Sequence, residues 1–222
     1  MNKRILVVAD VKDWAIAKLC LPLKKLGVDI AYHYINTSKG TGIGEENPVH
    51  LTVDLLKKYD TIHFNAARNV ECMLRNPEIV NILKNKRLIF TMHNERDYAK
   101  DDKFKIFDTI ICPTRFVEDN FKKHGYNTVY IPYAIDEKKY TFTKDYPRKT
   151  NVIGYVGRVT PHKRLDAIVG VFGRYSVVGI GYVDNGDYWH TISKGNLTTH
   201  QHLSEDEKIE IMRNFKIGRA HV

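Results

Sequence analysis

Short apolar runs alternate with segments of helical periodicity along the first part of the chain. The apolar runs are typical of buried strands, and the segments between them repeat apolar residues every three or four positions. Because strands separated by helices form βαβ units, the pattern predicts a right-handed parallel sheet covered on both faces. The predicted strands are 4–9, 28–35, 60–65, 87–93, 108–113 and 128–132, and the predicted helical segments are 16–26, 50–59, 76–85 and 115–124.

Local signals mark several helix ends. Thr114 is placed to cap the helix that follows it, and Gly125 is placed to end that helix. Pro22 is expected to interrupt the first helical segment, which Gly27 closes. These signals depend on residues only a few positions apart, so the sequence alone predicts them.

Residues 136–151 interrupt the alternation because they are polar, contain Pro147 and lack apolar periodicity. A domain boundary is therefore predicted here. The alternation then restarts with a strand, a helix, a second strand and a helix opened by the capping-box pair Ser204 and Glu207. These elements predict a second Rossmann-like domain with only two or three strands, in segments 152–157, 163–175, 176–181 and from 204 onward.

The last six residues, IGRAHV, resemble the translation of a common short-read sequencing adapter. We therefore expect the natural reading frame to stop near Lys216 and the second domain to be incomplete; an ordinary tail is the alternative. The predicted organisation is a first Rossmann-like domain over 1–140, a linker over 141–151, a partial second Rossmann-like domain over 152–216 and an artefactual tail over 217–222.

Composition limits the class of protein. The chain has 222 residues, three separated cysteines without a Cys-x-x-Cys pair, and a net charge of +9. The cysteine pattern supports neither a disulfide framework nor a structural zinc site, which favours a cytoplasmic protein. No apolar run is long enough to span a bilayer. The positive charge suits phosphorylated ligands, an acidic membrane surface or nucleic acid.

The segment GYVGRVTPHKRLD, residues 154–166, places His162, Lys163 and Arg164 just before a predicted helix. The helix dipole repels cations at this end, so the arrangement lowers local stability unless an anion binds there. An arginine can hold phosphate oxygens bidentately, a lysine adds a mobile charge, and a helix start offers free N–H groups. A solvated basic turn is the alternative, and His162 and Arg164 are expected to be surface residues.

The order of these motifs resembles the GT-B glycosyltransferases of family 4. Gly157, Arg158 and Lys163 match the family's Gly-Arg-x4-Lys pattern, and the segments DTIHFN, FTMHNE, ICPTRFVEDNFKKHG and IPYAID resemble its first domain and junction. The resemblance implies an α/β fold of two Rossmann-like domains. It also implies transfer of a sugar from a nucleotide-diphosphate donor with retention of configuration. Gly157, Arg158 and Lys163 would bind the donor diphosphate.

Two positions depart from the family pattern. Tyr133 and Ala134 replace the usual Asn-Gly of the junction, and the acidic Glu-x7-Glu motif that binds the donor sugar and ribose does not occur. We therefore expect this chain to bind nucleoside diphosphates weakly and to turn over no nucleotide sugar.

Other candidate residues lie near predicted strand ends, where open α/β sheets bind ligands. His93 is the candidate catalytic residue, facing the cleft between the domains and contacting the acceptor or donor sugar; a structural histidine is the alternative. His63, Asp10 and Trp14 are further candidates for the cleft, although Trp14 could equally be a core residue.

Two further segments do not predict a site. KGTGIG, residues 39–44, lacks the spacing of a dinucleotide or P-loop motif, so it is interpreted as a loop. His200 and His202 lack further ligands at zinc spacing. We therefore predict no metal and no cofactor beyond the nucleotide-sugar substrate.

Two alternative functions stay open at this point. One is another GT-B enzyme, such as a sugar-nucleotide epimerase, and the other is a non-catalytic protein that binds anions or nucleic acid. Nucleic acid is disfavoured because no helix-turn-helix or RNA-recognition motif occurs. The acceptor is unknown and could be a saccharide, a lipid-linked molecule or a protein. The protein is expected in the cytoplasm, with contact to the inner face of a membrane as an open alternative.

Overall fold

The computed structural model describes residues 4–10, 15–32, 51–93, 97–134, 136–138, 140, 149–167, 175–183, 185–193 and 197–220. The chain divides into two compact units, Met1–Ala134 and Ile135–Val222. Each unit contains one parallel β-sheet.

The first unit contains a six-stranded sheet in which every strand runs parallel to its neighbours. All six strands occur where the apolar runs predict them. In chain order they are β1 (Ile5–Ala9), β2 (Asp29–Tyr32), β3 (Thr61–Phe64), β4 (Arg87–Thr91), β5 (Thr109–Cys112) and β6 (Thr128–Tyr130), arranged β2-β1-β3-β4-β5-β6.

The helices of the first unit confirm the predicted segments and add one. The first segment is an α-helix that Pro22 converts to a 3-10 helix, Leu21–Leu26, ending at Gly27. Thr114 caps its helix through its side chain, as predicted. A helix after β3 was not predicted. The helices are α1 (Ala15–Cys20), α2 (Val53–Lys57), α3 (Ala67–Met73), α4 (Pro77–Leu83) and α5 (Arg115–Lys123).

Alternating side chains of β1 explain how both faces of this sheet are buried. Leu6 and Val8 belong to the large core cluster of the unit, whereas Val7 and Ala9 pack on the opposite face with Ala17 and Cys20 of α1. Side chains alternate between the faces of a strand, so a fully apolar run fits a sheet covered on both sides.

The second unit has a four-stranded sheet, so the prediction of two or three strands was wrong. Its strands are β7 (Lys149–Val156), β8 (Ser176–Ile180), β9 (Leu197–His200) and β10 (Phe215–Ala220), arranged β10-β7-β8-β9. The missed strands carry weak signals; β9, for example, has a single buried apolar residue, Leu197. The predicted capping box of Ser204 and Glu207 is confirmed. Helices α6 (Gly186–Ile192) and α7 (Glu205–Arg213) belong to the same unit.

Two predicted boundaries differ from the structure. β7 begins at Lys149, inside the predicted linker, and residues 141–148 lie outside the described residues. β10 extends through residues 217–220 of the predicted tail and pairs in parallel with β7. The origin of that tail stays a prediction.

Candidate functional site

Gly157 directly follows β7 and begins the loop that carries the candidate anion-binding residues. Its N–H donates to the carbonyl of Ile180 in the neighbouring strand at 2.9 Å. The hydroxyl of Tyr155, whose side chain is fully buried, donates to the carbonyl of Arg158 at 2.7 Å. The buried tyrosine therefore holds the backbone of this loop at Arg158 through a hydrogen bond.

A second glycine, Gly181, follows β8 and brings its backbone against Gly157. Both residues have a positive φ, 151° and 154°, which side chains with a Cβ rarely adopt. A Cβ placed on Gly181 would overlap the carbonyl group of Gly157. The ends of β7 and β8 therefore approach each other closely at Gly157 and Gly181, which a side chain on Gly181 would prevent. The contact of Gly181 with Gly157 was not predicted from the sequence, although Gly181 ends the predicted strand 176–181.

Arg158 and Lys163 lie in the same loop as Gly157, as the sequence predicted. The side chain of Arg158 is exposed and that of Lys163 is partly buried. Lys163 belongs to a short 3-10 helix, Pro161–Lys163, that follows the buried Thr160. Within the described part of the chain, no carboxylate lies within ion-pair distance of the Lys163 ammonium group.

The helix predicted to begin near Lys163 and to offer free N–H groups begins slightly later in the chain. Helical residues begin only at Leu165, and residues 168–174 of the predicted helix lie outside the described residues. The N–H groups of Lys163 and Arg164 donate to the carbonyls of Thr160 and Pro161. These two N–H groups are therefore engaged within the turn, so an anion at this loop would be bound through the side chains of Arg158 and Lys163.

Tyr188 of α6, which is distant in sequence, forms hydrogen bonds with Asp166 after the turn. The N–H of Asp166 donates to the Tyr188 hydroxyl at 2.9 Å, and this hydroxyl donates to the Asp166 carboxylate at 2.7 Å. This hydrogen bond is the main cause that lowers the pKa of Asp166. The exposed Arg164 pairs with the same carboxylate at 3.3 Å, which confirms its prediction as a surface residue; His162 is exposed as well.

In the first unit, polar side chains follow three neighbouring strands at one edge of the sheet. Asp10 follows β1, Asn65 follows β3 and His93 lies just beyond β4. Since the carboxyl ends of parallel strands meet at one edge, these residues occupy the position where ligands of open α/β sheets bind. Tyr133, which lies beyond β6, reaches the same group through its contact with His93.

His93 forms hydrogen bonds through both ring nitrogens. Nε2 lies 3.2 Å from Oδ1 of Asn65, and Nδ1 lies 2.7 Å from the hydroxyl of Tyr133. Burial lowers the pKa of His93 to about 4, so the ring is neutral at pH 7. With Oδ1 of Asn65 as the acceptor, the proton resides on Nε2 and Nδ1 accepts from Tyr133. The Tyr133 and imidazole rings are nearly parallel, with an interplanar angle of 3° and a centroid distance of 5.7 Å, so the hydrogen bond joins them edge to edge.

His63 points to the same side of the structure but has its own partner. Its Nε2 lies 2.7 Å from Oγ1 of Thr91 on the neighbouring strand. Burial, and to a lesser extent His93, lower the pKa of His63 to about 4. The His63 ring is therefore also neutral at pH 7, and its role as a ligand contact stays a prediction.

Asp10 lies in a different electrostatic environment. Burial raises the pKa of this carboxyl to about 6, although backbone hydrogen bonds at Asp10 and Ala17 oppose the shift. Its Oδ1 is buried and, among the described residues, has no hydrogen-bond partner. Burial, and to a smaller extent the nearby Asp10, raise the pKa of the Cys20 thiol to about 11.

Some sequence candidates receive no structural support. Trp14 and the segment 39–44 lie outside the described residues. His200 and His202 are not part of a metal cluster, because the described residues contain no group of three or more His, Cys, Asp or Glu side chains placed to hold a metal ion. Within the same part of the chain, no helix has the length and apolar character needed to cross a membrane.

Comparison with known proteins identifies the fold. No model of a known protein family and no curated protein matches the sequence. Among the solved structures that match, three cover 98–100% of this chain. Anabaena Alr3699/HepE in complex with UDP and glucose matches with a TM-score of 0.65 and 13% identity, over 73% of its own chain. A glycosyltransferase from Rickettsia africae ESF-5 has a TM-score of 0.60, 14% identity and 73% coverage, and a putative UDP-N-acetylglucosamine 2-epimerase from Listeria monocytogenes has a TM-score of 0.55, 13% identity and 75% coverage. The chain therefore has the α/β GT-B fold, built from two Rossmann-like units.

Proposed function

We propose that this protein is a glycosyltransferase that takes its sugar from a nucleotide-diphosphate donor. The main support for the proposal is the arrangement of residues in the loop after β7. There the bare backbone of Gly157 meets Gly181, and the Arg158 and Lys163 side chains follow within six residues. Lys163, which has no carboxylate partner among the described residues, is free to neutralise a ligand anion.

The chemistry of sugar transfer explains these residues. When the anomeric C–O bond breaks, the electron pair stays with the departing diphosphate, so negative charge grows on its oxygens. Cations held at that position stabilise the transition state more than the bound ground state. Arg158 would grip two phosphate oxygens, and Lys163 would add a point charge. Retention of configuration is part of the proposal and rests on the family resemblance.

His93 is proposed to contact a sugar hydroxyl in the first unit. The neutral ring and its fixed tautomer suit hydrogen bonding to an uncharged ligand better than binding to an anion. The identity of the acceptor and any contact with a membrane surface stay predictions.

A sugar-nucleotide epimerase is the second candidate, because solved structures of comparable similarity include such enzymes. An epimerase would use the same diphosphate contacts, so binding alone does not separate the two functions. Any turnover of UDP-glucose or UDP-N-acetylglucosamine, followed by nuclear magnetic resonance, would separate them. Transfer would release UDP, whereas epimerisation would give a new UDP-sugar without release.

The experiment that tests the diphosphate site is calorimetric titration with UDP, UMP and uridine. UDP was chosen because HepE was solved with it. We expect UDP to bind most tightly. Arg158→Ala and Lys163→Ala should each weaken UDP binding roughly tenfold or more, the effect of losing one charged hydrogen bond. Lys208→Ala, which changes a lysine of α7, is the matched control and should leave binding unchanged.

Equal affinity for UDP, UMP and uridine would contradict the proposed site, as would normal UDP binding by both variants. Repeating the titration with duplex DNA over a range of salt tests the nucleic-acid alternative. Binding to a phosphate backbone falls steeply as salt rises. Since the sequence contains no Glu-x7-Glu motif, we propose that this chain binds UDP-sugars without turnover. Robust transfer would contradict that part.

A further inference from the structure

The hydrogen bonds of His93 determine which kind of group can bind its ring. Asn65 is almost fully buried, and its own N–H is bound to the carbonyl of Val8 at 2.9 Å. The backbone of Asn65 is therefore held in place, and its side-chain oxygen lies 3.2 Å from Nε2 of His93 as the acceptor for the Nε2 proton. With that proton engaged, Nδ1 offers only a lone pair. A lone pair accepts hydrogen bonds, so it binds O–H donors and repels carboxylate or phosphate oxygens.

The position beside Nδ1 already contains a hydroxyl group. The Tyr133 hydroxyl lies 2.7 Å from Nδ1, and the planes of the two rings are nearly parallel. Tyr133 and His93 are 40 residues apart, so the sheet, and not a local turn, brings them together. A tyrosine hydroxyl has the same hydrogen-bonding capacity as a sugar hydroxyl.

A second acceptor lies at the same edge of the sheet. Oδ1 of Asp10 is buried without a hydrogen-bond partner among the described residues, which is an unfavourable state that an O–H donor would relieve. Asp10 follows β1 and His93 lies beyond β4, with only β3 between these strands. Two strand spacings are about 10 Å, a span that a small saccharide can bridge.

We propose that the carboxyl edge of the first sheet binds a neutral saccharide through hydroxyl groups, and that Tyr133 occupies one hydroxyl position on His93 until the saccharide displaces it. Tyr133 is therefore a specificity-determining residue that competes with the ligand. The inference rests on the proposed function only in expecting a sugar at this edge. The site prefers neutral over acidic sugars because Asp10 and Nδ1 both present acceptors.

The test compares the unchanged chain with Tyr133→Phe. This variant keeps the aromatic ring but removes the competing hydroxyl. Methyl glucoside, a neutral probe, should bind the variant roughly two- to tenfold more tightly, since one net hydrogen bond no longer has to be broken. Glucuronic acid should bind both proteins more weakly than methyl glucoside. Tyr182→Phe, at an exposed tyrosine of the second unit, is the matched control and should change neither affinity.

Nitrogen NMR of the His93 ring gives a second measurement that needs no knowledge of the natural ligand. Tyr133→Phe should shift the Nδ1 resonance towards the value of a ring nitrogen that accepts no hydrogen bond, and methyl glucoside should reverse this shift. Unchanged or weaker sugar binding by Tyr133→Phe overturns the inference, as does equal binding of glucuronic acid. If UDP binds and no neutral sugar does, this inference fails while the diphosphate proposal stands. If a neutral sugar binds and UDP does not, the diphosphate proposal fails while this inference stands.

Discussion

At Asp10 and His93, burial shifts the pKa in opposite directions because it disfavours whichever form is charged. Burial raises the pKa of the Asp10 carboxyl to about 6 and lowers that of the His93 ring to about 4. At neutral pH the histidine is uncharged, whereas Asp10 carries a partly buried negative charge. The carboxyl edge of the first sheet therefore favours donors of hydrogen bonds.

Asp10→Asn should stabilise the protein more at pH 8 than at pH 5. Because the pKa of Asp10 is higher in the folded state than in the unfolded state, its contribution to stability is present at low pH and disappears as the pH rises through about 6. The variant's advantage in the free energy of unfolding should be larger at pH 8 by about 1 kcal/mol, a figure reduced for partial exposure.

Urea unfolding at the two pH values measures this difference. Asp119→Asn, which changes an exposed aspartate of α5, is the control and should show no such pH dependence. If Asp10→Asn gave the same change in stability at both pH values, the environment of this carboxyl would be misassigned.

Lys163→Ala should weaken UDP binding with little effect on folding. The ammonium group has no carboxylate partner among the described residues, so its removal breaks no ion pair there. The free energy of unfolding without ligand should change by less than about 0.5 kcal/mol. Thermal melts with and without UDP measure both quantities. A large loss of stability without ligand would indicate a structural lysine.

At the scale of the elements, the pairing of β7 with β8 positions the candidate diphosphate loop. The two strands are in parallel register from Val152 and Ser176 onward, and their ends present Gly157 and Gly181 side by side. The bridge between Val159 and Val183 continues this contact beyond the strands. The geometry of the loop therefore depends on two segments that are more than 20 residues apart.

Gly181→Ala should destabilise the protein by at least about 2 kcal/mol, since a Cβ there meets the backbone of Gly157 at an unfavourable φ. Gly186→Ala is the matched control in the same unit. It lies in the first turn of α6 with nothing within 4 Å of the added Cβ, so its effect should be close to zero. Urea unfolding of both variants tests the close approach, and equal stability would contradict it.

For the whole molecule, the two units differ in the size of their buried cores. The core cluster of the first unit includes large side chains such as Phe64, Phe90 and Phe104 and extends across most of its sheet. The described core of the second unit is a small cluster around Tyr155 and Leu165. Because burial of apolar surface is the main stabilising contribution, the second unit should be the less stable one.

Hydrogen exchange should therefore be slowest in the central strands of the first unit and faster throughout residues 152–222. The edge strands β9 and β10 should be among the least protected strands, since each pairs on one side only. Mass spectrometry of exchanged peptides provides the measurement. Equal protection of both sheets would show that the second unit is as stable as the first.

The sequence by itself determined the features that depend on near neighbours. The alternation of apolar runs with helical segments predicted the parallel sheet of the first unit. Thr114 and the pair Ser204–Glu207 predicted helix starts, because a cap needs only residues three positions apart. The Gly-Arg-x4-Lys pattern likewise spans a short stretch of the chain and singled out Gly157, Arg158 and Lys163 as candidates.

Only the tertiary structure decided the contacts that make these residues a site. Tyr133 reaches His93 across 40 residues, and Asn65 fixes the same ring from 28 residues away. Tyr188 takes the N–H of Asp166 across 22 residues, so the turn after Lys163 does not offer that donor to a ligand. These partners are set by strand order and register, which bring distant residues to one sheet edge, and no local pattern in the sequence encodes which of them will meet.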